Sequence, residues 1–273
     1  MSVTTYQRPA ERVVPGLSFA RVVKSELIKF RSLRSTWITY AVALLIADGL
    51  GILIAALRGN DIHNHPGGDI IDPVSFPLHG IFLAQLAIGV LGVLFITGEY
   101  ATGSIRASLT AVPKRVPALL AKTLVLGVTT AIVALALTFV AFFAGQAVLS
   151  TWNLNVSIGH DGALRAVTGA ALYLVCVGLM GLGLGYALRN TGGAIATLFG
   201  IVLVLPLIVQ SLPTSWQNNI SKFLPLNIAD HMMSTRYDLG SHALSNGMGA
   251  VMLIVYAVVA LAIGLVVLKR RDV

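Results

Sequence analysis

The stretch His79-Gly-Ile-Phe-Leu-Ala-Gln-Leu-Ala-Ile-Gly-Val-Leu-Gly-Val-Leu-Phe-Ile-Thr-Gly98 contains no Asp, Glu, Lys or Arg. The hydrocarbon core of a bilayer is about 30 Å thick, and a helix crosses it in about 20 residues. In lipid, every backbone N–H and C=O of such a run must find its partner internally, which only a helix or a closed barrel achieves. The run lacks the strict apolar–polar alternation of a barrel strand. It predicts a transmembrane helix over 79–98.

Five further stretches repeat the pattern, at 36–57, 119–149, 165–188, 192–210 and 247–268. The 119–149 run is long enough to tilt or to extend beyond the bilayer. The whole composition agrees: 56% of the 273 residues are hydrophobic and 11% charged, where a soluble domain carries about 25% charged residues. Mean hydropathy is +0.84. These values exclude an ordinary soluble enzyme, a disordered regulator and a coiled coil. The one cysteine, Cys176, excludes a disulfide scaffold and a multi-cysteine zinc site, and reads as a small buried filler. The first apolar run exceeds the core of a cleavable signal peptide and has no small-x-small site before Arg58. No linker or short-period repeat divides the chain. The expected class is an all-α polytopic membrane protein, with a flexible tail at 1–16, an amphipathic lead-in helix at 17–35 and a six-helix domain at 36–273.

Charge orients the spans. Six helices place fifteen of the nineteen Lys and Arg residues on one face, in the tail, the 99–118 loop and Lys122 just after it, the turn at Arg189 and the C-terminus. Arg58, Arg165, Lys222 and Arg236 lie on the other, with six aspartates. Lys and Arg stay in the cytoplasm, so both termini are expected there. The formal charge of +8 is then a topology signal and an attraction to anionic lipid. No nucleic-acid partner is expected, because no basic helix or base-stacking platform accompanies the charge.

Within the lead-in, Phe19, Val23, Leu27 and Phe30 follow one helical face, and Pro15-Gly16 marks the start. Arg21, Lys24, Lys29 and Arg31 lie mainly off that face. This reads as an interfacial helix on the inner leaflet, and is compatible with a docking face for a cytoplasmic partner.

The loop after the second span reads Gly98-Glu-Tyr-Ala-Thr-Gly-Ser-Ile-Arg-Ala-Ser-Leu-Thr-Ala-Val-Pro-Lys-Arg-Val-Pro117. A carboxylate at a helix C-terminus opposes the helix dipole. Glu99 therefore needs a cation to pair with, or a new short helix to open. Gly103 permits a sharp turn. Ser104 is a candidate N-cap for a short helix over 105–112 that Pro113 ends, and Pro117 suits the first turn of the next span. A short helix displaying Arg106, Lys114 and Arg115 is expected; the plainer alternative is a stop-transfer loop.

The run Glu99-x-x-x-Gly103-Ser104-Ile105-Arg106, followed by Leu109, Pro113, Arg115 and Lys122, resembles the signature of ABC transporter type-2 permeases. The resemblance extends over the basic lead-in, the six spans and the longer outer segment before span six. It implies a bacterial inner-membrane exporter subunit in which Glu99, Gly103, Ser104, Arg106, Pro113 and Arg115 couple to an ATPase. The lead-in, through Lys24, Glu26, Lys29 and Arg31, would be a second contact. It further implies a dimer of permeases with two copies of a separate ATPase subunit, force passing to spans one, two and five. No Gly-x-x-x-x-Gly-Lys-[Ser/Thr] loop exists in the chain. The chain is therefore not expected to be an enzyme or to bind a cofactor; ATP and magnesium belong to the partner.

Asp48 lies inside the first span, where a charge is costly and by default a functional candidate. A structural hydrogen bond is its plain alternative. Gly181-x-x-x-Gly185 suits close helix packing, with a substrate-lining surface as the rival reading. Arg189-Asn-Thr-Gly-Gly193 makes spans four and five a hairpin, and Pro206 should kink span five. Trp216, Ile220, Phe223 and Leu224 fit one face of an outer amphipathic helix, lying on the surface or re-entrant. The six histidines scatter over the outer face; His63-x-His65 with Asp61 and Asp69 is a weak metal signal. Asn155-Val-Ser157 and Asn219-Ile-Ser221 are sequons, read as chance matches in a bacterium. No intramembrane catalytic motif is visible. Two other functions fit the residues: a secondary transporter or channel using Asp48, and a membrane scaffold that recruits a protein without transport.

Overall fold

The computed structural model describes residues 18–65, 72–111, 115–235 and 243–270. Among them there is no strand. The chain runs through α1 (Phe19–Ser32), α2 (Arg34–Asn64), α3 (Ser75–Leu78), α4 (Ile81–Ala101), α5 (Ser104–Ala111), α6 (Arg115–Leu149), α7 (Ala163–Leu188), α8 (Thr191–Phe199), α9 (Leu205–Gln210), α10 (Thr214–Ile220), α11 (Pro225–Met233) and α12 (Asn246–Arg270). Six of the described segments are long and apolar enough to cross a membrane: α2, α3–α4, α6 with its 3-10 extension, α7, α8–α9 and α12.

The bundle is built around α7, which packs against α12, α4 and α6. Its apolar window is 72% buried, against 28% for that of α12, so α7 is a core helix and α12 a peripheral one. Small residues set the α4–α7 distance. A Cβ on Gly92 would strike the Gly178 carbonyl, and one on Gly181 the Gly89 carbonyl. The Gly181-x-x-x-Gly185 pair therefore packs inside the chain, against α4.

The α7–α8 hairpin forms as its sequence suggests. Arg189 adopts a left-handed conformation with φ 54°, and the Asn190 side chain caps α8 by accepting from the Gly193 N–H at 2.7 Å. Gly200–Val204 is a π-helical turn placed directly before Pro206. Proline has no N–H and crowds the carbonyl four residues back; the wider turn relieves both constraints.

Three expectations are corrected. First, α2 runs to Asn64 rather than ending near 57, since Gly59 seats against Trp152 and Leu149 and keeps the last two turns packed. Second, the lead-in buries Val22, Glu26 and Phe30, while Phe19 is 47% exposed. The buried face is thus rotated from the purely apolar one, because Glu26 meets two lysines there. Third, the outer helix forms, as α10 and a 3-10 turn over Ser221–Phe223, but its expected face is not the buried one. Pro225 forces Leu224 into an extended conformation with ψ 133°, so α10 and α11 are separate. Trp216 and Phe223 stay exposed and only Leu224 of that set is buried. The buried face belongs instead to α11, with Ile228, Ala229, Met232 and Met233.

At the end of the bundle away from the basic residues, Asp72 ties the start of α3 to the chain after α11. Its carboxylate accepts from the Thr235 N–H and hydroxyl, each at 2.8 Å, and from the Ser234 hydroxyl at 2.9 Å. Arg165 donates to the Ser234 carbonyl, and His79 Nε2 lies 3.7 Å from Asp230.

The glycines separate two effects of adding a methyl group. Gly49→Ala meets open space and gains helix propensity, so its unfolding temperature in detergent should hold or rise. Gly92→Ala forces a backbone clash and should lower stability by about 1–3 kcal/mol.

Candidate functional site at the basic end

Four charged side chains from three helices meet where α1, α4 and α6 converge. Lys122 of α6 donates to Glu26 Oε2 at 2.5 Å and to Glu99 Oε1 at 2.9 Å. Lys29 donates to Glu26 Oε1 at 2.8 Å and to Glu99 Oε1 at 3.4 Å. The Lys122 side chain is 4% exposed and that of Glu26 7%. The ammonium of Lys122 also sits 4.5 Å from the centre of the Phe95 ring, which Phe30 meets edge-on. An isolated charge in this apolar seat would be prohibitively costly; two carboxylates and an aromatic face offset that cost.

Burial pushes the Glu26 carboxyl up, but Lys122 and then Lys29 outweigh it and hold the group below its ordinary value of 4.5. Burial likewise pulls Lys29 down, and Glu26 and Glu99 more than compensate, leaving it above 10.5. Both groups are therefore held charged at neutral pH.

The short helix expected after Glu99 is present as α5. Gly103 makes the turn into it with φ 69°, a conformation that disfavours any side chain. Ser104 is its first residue, and the Ser104 and Thr102 hydroxyls pair at 3.0 Å. Ile105 is buried and Arg106 exposed, so α5 is anchored through Ile105 and presents a cation outward. Pro113 lies outside the described residues.

The remaining candidates divide. Lys24 and Arg31 are exposed on α1. Glu26 and Lys29 are drawn into the ion cluster. Arg115 donates to the Leu268 and Lys269 carbonyls, tying the start of α6 to the last turn of α12. Arg189 lies over the Tyr100 ring, and Thr191 bonds Thr97. Asp48 stands apart, buried midway along α2, and its Oδ1 has no hydrogen-bond partner among the described residues. Of the set Asp61, His63, His65 and Asp69, Asp69 lies outside the described residues, and among the described residues no cluster of three or more His, Cys, Asp or Glu occurs.

Sequence reasoning offered Glu99 a cation or a new short helix, and did not join it to Lys122 and Glu26. A signal existed: a lysine seven residues after Arg115 repeats on the same face of α6, too deep for a loop cation.

A family model described as "ABC-2 family transporter protein" matches residues 20–273. No curated protein sequence matches the chain.

Lys122→Met would leave Glu26 and Glu99 to Lys29 alone and should cost about 3–5 kcal/mol. The pH dependence follows from the directions above. Glu26 binds its proton less readily folded than unfolded, so its contribution is full above 4.5 and is lost as pH falls through the lower, folded value. Lys29 contributes fully below 10.5 and loses that contribution as pH rises past its higher folded value. Thermal unfolding scans should therefore show a plateau at neutral pH and an acid decline that Lys122→Met flattens.

Proposed function

The chain belongs to the ABC-2 family of transporter proteins, a membrane permease of an ABC transporter, and on that premise we propose that it is the membrane half of an ATP-driven exporter. The basic end faces the cytoplasm of a bacterial cell, the chain residing in the inner membrane. Two copies pair with two copies of a separate ATPase subunit, which holds the ATP and magnesium.

The observation that carries this reading is the mounting of α5. It leaves α4 through the Gly103 turn, is anchored by buried Ile105, and exposes Arg106 beside the ends of α4 and α6. Those two helices share Glu99 and Lys122, and α1 joins them through Glu26. A push on α5 from an ATPase therefore reaches α1, α4 and α6 as one body. Only Leu33 separates α1 from the first spanning helix, so α2 receives the same motion. Rigid-body movement of this kind is how permeases alternate access. The exposed Lys24 and Arg31 extend the docking face along α1.

The orphaned Asp48 Oδ1 supports a second role inside the same machine, as a polar contact on the transport path. The same observation favours the rival secondary transporter, in which flux follows an ion gradient and needs no ATPase.

Arg106→Glu should abolish co-purification of the ATPase or cut transport at least ~10-fold, the scale of one lost charge-assisted contact. Full transport by an intact complex carrying that change would exclude α5 as the coupling element. Asp48→Asn should slow transport while leaving ATPase binding unchanged; unaltered transport removes Asp48 from the path.

A further inference from the structure

At the end of the bundle away from the basic residues, His79 stands at the step from α3 into α4 and faces α11. Its Nδ1 lies 2.7 Å from the Ser75 carbonyl oxygen. A carbonyl only accepts, so the hydrogen-bond network assigns the hydrogen to Nδ1 and fixes the tautomer. Phe82 meets the ring edge-on, with centroids 5.6 Å apart, and holds its plane. The other nitrogen, Nε2, lies 3.7 Å from Asp230 Oδ1.

In the neutral ring Nε2 is an acceptor, and so is a carboxylate. Two acceptors thus face each other across a gap wider than a hydrogen bond. A proton added to Nε2 turns that pair into an N–H cation opposite a carboxylate, a charge-assisted donor and acceptor. The two side chains are 34% and 61% exposed, so solvent supplies and removes the proton. The charges around the pair are engaged elsewhere or turned away. Asp72 accepts from Ser234 and Thr235, and Arg165 of α7 donates to the Ser234 carbonyl. On α2, Arg58 and Asp61 are exposed, Asp61 meets His65, and Asp48 is buried midway along the helix. His160 and Asp161, before α7, are exposed. Neither α4 up to Gly98 nor α6 beyond Lys122 carries a charged residue. His231 is held below its ordinary value of 6.5 by burial and then by Arg165, against the pull of Asp230. It therefore charges only at lower pH than an ordinary imidazole.

We propose that His79 and Asp230 form a proton-operated latch at this end of the bundle. A proton taken from solvent onto Nε2 is shared with the Asp230 carboxylate and draws α11 toward the start of α4. Its loss restores two facing acceptors and releases the contact. The rest of α11 is seated on other helices, with Met232 against Gly169 of α7 and Ile228 against Gly249 of α12. The latch therefore acts on the seam between α4 and α11 and leaves the packing of α11 on α7 and α12 in place. The closed state binds the proton more tightly than the open one, so closure grows as pH falls. On the orientation proposed above, the proton sensed is the external one.

The latch rests on the exporter reading only for which side of the membrane senses the proton, and its test uses neither ATPase nor transport. The full chain, purified in mild detergent, undergoes hydrogen exchange at about pH 5.5 and about pH 7.5, either side of the usual imidazole titration. Labelling times are scaled for the intrinsic pH dependence of exchange, and uptake is read by mass spectrometry. Protection of α11 relative to α7 should be about threefold higher at the lower pH, the scale of one partly exposed ion pair. Asp230→Asn, an exposed change that keeps the side-chain shape, should remove the difference, as should His79→Gln. His231→Gln should preserve it. Equal protection at the two pH values in the parent chain overturns the proposal. So does a difference that survives Asp230→Asn or His79→Gln, or one that disappears in His231→Gln, which would make His231 the titrating group.

Discussion

Lys122 is the residue on which the basic end depends. Its ammonium is buried, bridges carboxylates from two other helices, and rests on an aromatic ring. Buried ion pairs seldom add net stability over well-packed apolar residues, because desolvation consumes most of the Coulomb gain. What they impose is geometry. Each member of the cluster is tolerable only while the others are in place, so α1, α4 and α6 cannot separate piecemeal at this end. An apolar contact of equal area would permit sliding. An ammonium shared by two carboxylates does not.

That rigidity is confined to one level of the bundle, and the rest of the helix packing is of another kind. Between α4 and α7 there is little side chain at all: Gly89, Gly92, Gly178 and Gly181 bring backbones together. In lipid, where no hydrophobic force drives helices together, close van der Waals approach does this work. The centre is thus held by shape and the basic end by charge. The outer helices α8, α9 and α12 turn most of their apolar surface away from the rest of the chain.

Much of this was legible in the residues. Length and apolarity alone place the six spans, because lipid leaves the backbone no option but the helix. Gly103 and Pro206 announce a turn and a helix distortion through their own covalent properties, and each occurs where expected; the cap foreseen at Ser104 does not, since Ser104 is the first residue of α5. The misses share a cause: they depend on partners distant in sequence. Glu26 is 96 residues from Lys122, and no periodicity in α1 reveals that its buried face should contain a charge. Asp72 meets Thr235 across 163 residues. The outer segment is helical where the spacing of Trp216, Ile220, Phe223 and Leu224 suggests, but most of that face stays uncovered. Of the proposed coupling residues, Arg106 faces outward as an exposed contact requires, whereas Arg115 is engaged with the end of α12.

The cluster follows from one sequence choice. Placing Glu99 at the end of α4 runs against the helix dipole, and Lys122 and Lys29 offset that cost at Oε1 alone. The second carboxylate oxygen is buried without a hydrogen-bond partner among the described residues. A glutamine here would keep the shape but surrender the attraction to Lys122; an aspartate, one methylene shorter, would reach less far toward it. Glutamate meets both lysines through Oε1. The residue that runs against the dipole of α4 is therefore also the one that fastens α4 to α1 and α6.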